Sequence, residues 1–117
     1  MKNLKQETIE ALAEKGYTPK DVEFVMVTRY PMCEEEMPEE FEIDMESFWK
    51  EADQRYDDDY GMPEVSPSLK VVGKDWWLER AEYDGSEWWE FKQMPTKPKK
   101  TIEAKEEVFT KWHTLVR

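Results

Sequence analysis

The chain has 117 residues, a length that predicts one domain. Sixteen residues are aromatic, six of them Trp, so a modest core is within reach although charged residues make up 38% of the chain. The net charge is −11, there is a single cysteine, and no run approaches the roughly 18 apolar residues of a spanning helix. These features exclude an intramolecular disulfide, a cysteine metal centre and a helical membrane anchor. Met1 is followed by polar sequence rather than an apolar leader, which with the lone Cys33 points to a reducing cytoplasm.

Residues 3–15 read as a helix, with Asn3 as cap, Gln6 in the capping-box position, and Leu4, Ile9, Leu12 and Ala13 on one face. Gly16 is a left-handed stop, and "YTPKD" supplies a turn. "VEFVMVTRY", 22–30, predicts a strand; it is apolar at every position from Phe24 to Val27, which predicts burial on both faces. "PMCEEEMPEE", 31–40, reads as a loop restrained by Pro31 and Pro38. Asp44 then marks a helix start, with Ile43 and Phe48 as a hydrophobic staple. Met45, Phe48, Trp49, Ala52 and Tyr56 continue its apolar stripe until Gly61 and Pro63 end it. Residues 69–93 predict a meander of "LKVV", "WWLERAEY" and "SEWWEFKQ", the last two joined by Asp84-Gly85, a strong hairpin signal. A basic, proline-interrupted linker, 94–100, leads to a predicted final helix over 101–116. Thr101 would cap it, and Ile102, Val108, Phe109, Trp112, Leu115 and Val116 would line one side. The expected fold is a small single α+β domain over 1–117: an antiparallel sheet of a three-stranded meander plus one N-terminal strand, packed by three helices.

A two-residue turn pairs Trp76, Leu78 and Arg80 with partners on the same face as Trp89 and Phe91, and leaves Trp77, Glu79, Ala81, Tyr83, Trp88 and Glu90 on the other. The first face is the expected core. Trp77, Tyr83 and Trp88 are either a second buried layer beneath the tail or an exposed contact patch for a protein partner. Glu79 opposite Glu90 is an unfavourable like-charge pair. Two carboxylates beside aromatic rings also fit, remotely, a glycoside hydrolase, in which one acid protonates the leaving group.

Other chemistry lacks its residues. His113 is the only histidine, so neither a Ser-His-Asp triad nor a multi-histidine metal site can form. Cys33 beside Glu34, Glu35 and Glu36 makes a poor nucleophile. "DDDYGMPE" fails the calcium-loop spacing, and no glycine-rich phosphate loop exists. No catalytic residue, cofactor or metal is therefore expected.

The charge is concentrated. Residues 34–64 hold 14 acids against Lys50 and Arg55, while the rest of the chain is close to neutral. Such a segment repels nucleic acid and anionic membranes. Glu34, Glu35, Glu36, Glu39, Glu40, Glu42, Glu46, Asp53, Asp57, Asp58 and Asp59 form the candidate binding surface. Glu46, Asp53 and Asp57 would lie along the second helix over roughly 16 Å, in the manner of duplex phosphates. The alternative is a solvated face that confers solubility.

Trp77-Leu78-Glu79-Arg80, the run from Glu82 to Trp89, and Pro95 with Pro98 resemble a family of small phage and mobile-element proteins of Gram-positive bacteria. The similarity extends over residues 17–98 and includes "YTPKDVEFV" and "YDDDYG". The resemblance implies a phage-type protein in a host bacterial cytoplasm. With the acidic segment it suggests an inhibitor of a host protein with a basic nucleic-acid-binding surface, in the manner of an anti-CRISPR. An adaptor that binds through Trp77, Tyr83 and Trp88 is the alternative.

Overall fold

The computed structural model describes residues 1–33, 35–58, 62–104 and 107–109. The Asn3 side chain accepts the Gln6 N–H and starts α1, Leu4–Glu14, which ends before Gly16 at a φ of 82°. A two-residue strand, β1 (Lys2–Asn3), precedes it. A 3-10 turn, Pro19–Asp21, leads into β2, Phe24–Arg29. Then follow β3 (Glu39–Ile43), α2 (Met45–Ala52), β4 (Arg55–Tyr56), β5 (Lys70–Val72), β6 (Trp76–Tyr83) and β7 (Ser86–Gln93). The main sheet has the order β3-β2-β5-β6-β7 and is antiparallel throughout; β1 and β4 form a separate pair.

Alternation gives the sheet two unlike faces. Val25, Val71, Trp76, Leu78 and Trp89 point to one side, where they meet Leu12 of α1 and Phe48 and Ala52 of α2 in one core. Tyr17 stacks on Trp76 at 4.5 Å between ring centroids, and Trp76 on Phe91 at 5.8 Å. Gly73 makes room for that stack, since a Cβ there would overlap the Trp76 indole. Both helices cover this face, and the other side of the sheet has no helix on it among the described residues.

Several expectations are corrected. Among the described residues two short helices, not three, pack a sheet of five strands rather than four. The predicted terminal helix falls largely outside the described residues, and its described part, 101–104 and 107–109, is not helical. The acid-rich stretch read as a loop through residue 40 contributes β3. Its charged side chains are tolerated because β3 lies at a sheet edge, where Glu39 to Glu42 are all exposed. The second helix starts as expected, with Asp44 accepting the Ser47 N–H at 2.9 Å, but stops at Ala52 rather than near Gly61. Tyr56, expected on its apolar stripe, instead lies in β4 opposite Lys2, where long-range pairing overrides helical periodicity. Finally, β2 is buried on one face only: Val25 is inaccessible, whereas Phe24, Met26 and Val27 are half-buried.

Candidate functional site

The hairpin is built as its turn residues require. Asp84 and Gly85 take φ of 50° and 89°, the positive pair of a primed turn, and set Glu79 opposite Glu90 and Leu78 opposite Phe91. Each Trp pair is thereby split. Trp76 and Trp89 enter the core, while Trp77 and Trp88 stand half-buried on the opposite face and Tyr83 is 77% exposed.

On the inner face, Arg80 is the centre of a buried ion cluster. Its guanidinium donates to Glu87 at 2.9 Å and to the Tyr56 oxygen at 3.0 Å, and lies 3.5 Å from Glu7. Tyr56 in turn donates to Glu7. The side chains of Arg80 and Glu87 are each 3% exposed. Glu87 also accepts the N–H groups of Glu64 and Val65 at 2.7 and 3.2 Å, which ties the 64–65 loop to the hairpin. Arg80 further lies over the rings of Trp89 and Tyr56. Burial, reinforced by the bond to Glu7, raises the Tyr56 phenol well above its ordinary value. These carboxylates are committed to structural donors, so the cluster is an internal brace rather than a source of free acid and base. Beside it a cleft of about 590 Å³ opens between α1, α2 and the 64–69 loop, walled by Leu4, Ile43, Phe48, Val65 and Leu69.

The outer face has a different make-up. Strand register places Phe24, Val72, Trp77 and Lys92 in one cross-strand row. The next row holds Glu42, Met26, Lys70, Glu79 and Glu90. Beyond it stand Ala81 and Trp88, and, across the sheet, Thr28 and Glu40. Two Trp-bearing rows thus bracket a charged one, with the Trp77 and Trp88 rows four residues apart, roughly 13 Å. The Trp77 indole donates to Glu79 at 2.7 Å, which orients that carboxylate, and Lys92 lies 4.0 Å from Glu90. The Glu79–Glu90 pair is therefore real, but it lies on an open sheet surface.

The acidic candidates are dispersed. Glu39, Glu40 and Glu42 lie on β3, and Glu35, Glu36 and Glu46 are exposed around it. Asp53 accepts from Asn3 at 3.0 Å, the Asp57 N–H donates to Glu64, and Asp58 pairs with Lys2 at 3.4 Å. Asp53 caps α2 and Asp57 follows β4, so the expected ladder of Glu46, Asp53 and Asp57 along one helix does not exist. Glu34 and Asp59 lie outside the described residues. Among the described residues no group of three or more metal-ligating side chains converges, and no helix is long and apolar enough to cross a membrane.

Phe24, Met26 and Val72 were missed as surface residues because an unbroken apolar run looks the same whether one face is covered or two. The signal that could have found them is the hairpin alternation, carried across to β5 and β2. Comparison with family models, with curated proteins and with solved structures finds no match for this chain.

Proposed function

We propose that this protein acts by binding rather than catalysis, and that it engages a protein with a basic surface through the open face of its sheet. The observation that carries the reading is the composition of that face: Trp77, Trp88, Phe24, Met26 and Val72 accessible beside Glu40, Glu42, Glu79 and Glu90. Large aromatic side chains dominate binding energy at protein interfaces, and charged neighbours set partner choice and approach rate. The sheet is rigid, so its side chains lose little freedom on binding. The acidic β3 edge extends the same preference, and a surface that otherwise meets nucleic acid, such as that of a host defence nuclease, has the matching charge. The acids that serve this reading are those of β3 and the outer sheet face, not a helical array.

Affinity capture from bacterial cells tests this with wild type, a Trp77→Ala/Trp88→Ala variant and a Glu40→Lys/Glu42→Lys variant, each first shown to be folded. The expected result is a basic protein retained by wild type, lost with both variants, and displaced by salt and by added duplex DNA. Retention of the same protein by all three variants overturns the assignment.

A further inference from the structure

The outer edge of β7 has the hydrogen-bonding pattern of a strand awaiting a partner. The Glu87 N–H leaves β7 on the side away from β6 and donates to the Asp58 carbonyl at 2.9 Å. Backbone groups alternate sides along an antiparallel strand, so Trp89, Phe91 and Gln93 present their N–H and C=O groups on that same outer side. Among the described residues no backbone hydrogen bond reaches these three. At the far end the Met94 N–H continues the inner ladder to the Asp75 carbonyl at 2.8 Å, and Pro95 has no N–H to offer, so the outward donors are those of residues 89, 91 and 93. The opposite edge, β3, bears Glu39, Glu40 and Glu42, and such charge discourages strand addition.

We infer that β7 pairs antiparallel with β7 of a second copy of this chain, about a two-fold axis at Phe91. This register sets Trp89 opposite Gln93 of the second copy, as a hydrogen-bonded pair. It also sets Glu90 opposite Lys92 of the second copy, as a non-hydrogen-bonded pair, whose side chains approach most closely. Symmetry makes this ion pair twice. A register one step shorter, centred on Glu90, would set Glu90 against its own copy. A further step, centred on Trp89, would require the Glu87 N–H that Asp58 already occupies.

The same arrangement addresses the awkward outer row. Glu79 and Glu90 face each other with Lys70 beyond Glu79 and open space beyond Glu90. Lys92 of the second copy fills that space, so a lysine flanks the Glu79–Glu90 pair on each side. Net charge does not oppose the union strongly: β3, with its acids, is four strand spacings or roughly 19 Å from the β7 edge, which exceeds the screening length of about 8 Å at physiological salt. The product is a continuous ten-stranded sheet whose two outer faces join.

Sedimentation equilibrium across a concentration series tests the pairing. Wild type is expected to show twice the chain mass. Glu90→Lys and Lys92→Glu should each weaken the dimer roughly tenfold or more, since each turns both attractive pairs into repulsive ones. Their equimolar mixture should dimerise again, and so should the Glu90→Lys/Lys92→Glu double variant. Gln93→Pro, which removes an outward donor and leaves the β6–β7 ladder intact, should also weaken it. Restoration by mixing separates the proposal from misfolding of either single variant. A monomer at every concentration, assembly beyond a dimer, or a dimer indifferent to all these changes overturns it. The proposal does not depend on the partner assigned to the open face.

Discussion

Adjacent residues of one hairpin meet opposite electrostatic regimes. Arg80, on the inner face, is 3% exposed in its side chain and engages Glu7, Glu87 and Tyr56; Glu79, one residue earlier, faces Glu90 across water-accessible sheet. Within the core, a charge without a partner costs several kcal/mol, so each member of the cluster depends on the others. On the outer face, solvent screens the like charges and the penalty falls to roughly 0.2–1 kcal/mol. The side that cannot tolerate a mismatch builds the fold, and the side that can tolerate one is free to carry recognition.

The contrast is broken most severely at Arg80. Arg80→Ala strands Glu87 and Glu7 in a buried setting and should cost roughly 3–5 kcal/mol of stability, measured by denaturant unfolding. Glu90→Gln, which removes a charge of the outer pair, should change stability by less than about 1 kcal/mol. Equal costs would show that burial does not separate the two faces. Next in size is Gly73→Ala, whose methyl must displace the buried Trp76 ring, for a loss of roughly 1–3 kcal/mol in the same measurement. Gly85→Val belongs to this class, because a β-branched residue resists the φ of 89°.

Tyr56 sharpens the inner side through pH. Its folded value lies above the ordinary 10.0, so the folded state holds the phenol proton more tightly than the unfolded chain does. Its contribution is complete below about pH 10 and is lost as pH rises toward the folded value. Wild type should therefore lose stability above about pH 10 more steeply than Tyr56→Phe; parallel profiles would remove Tyr56 from the alkaline transition. The smallest effect is that of Glu90→Lys on the single chain. It replaces the like-charge pair with Glu79 by an opposite one but gives up the 4.0 Å contact with Lys92, so single-chain stability should change by less than about 1 kcal/mol, while the proposed dimer is weakened. Thermal melts read at low concentration isolate the first change from the second.

Local chemistry was legible in the residues themselves. Asn3 and Asp44 cap their helices because a short side-chain acceptor is all that a helix start requires. Asp84-Gly85 sets the hairpin register because the turn needs positive φ at both positions, and the strand period of two then divides the Trp pairs between faces. The concentration of acids around residues 34–64 is likewise plain in the sequence. Tertiary structure alone decided the rest. Whether helix continued past Ala52 depended on Tyr56 meeting Lys2, 54 positions away, and not on its own spacing. Glu39–Ile43 became a strand because β2 offered an unpaired edge. Arg80 could be assigned to the inner face from alternation, but Glu7 and Tyr56 reach it only when α1 and β4 fold over the hairpin. Which apolar face is covered has the same origin: alternation sorts side chains into two faces, but only the long-range placement of both helices excludes water from one of them.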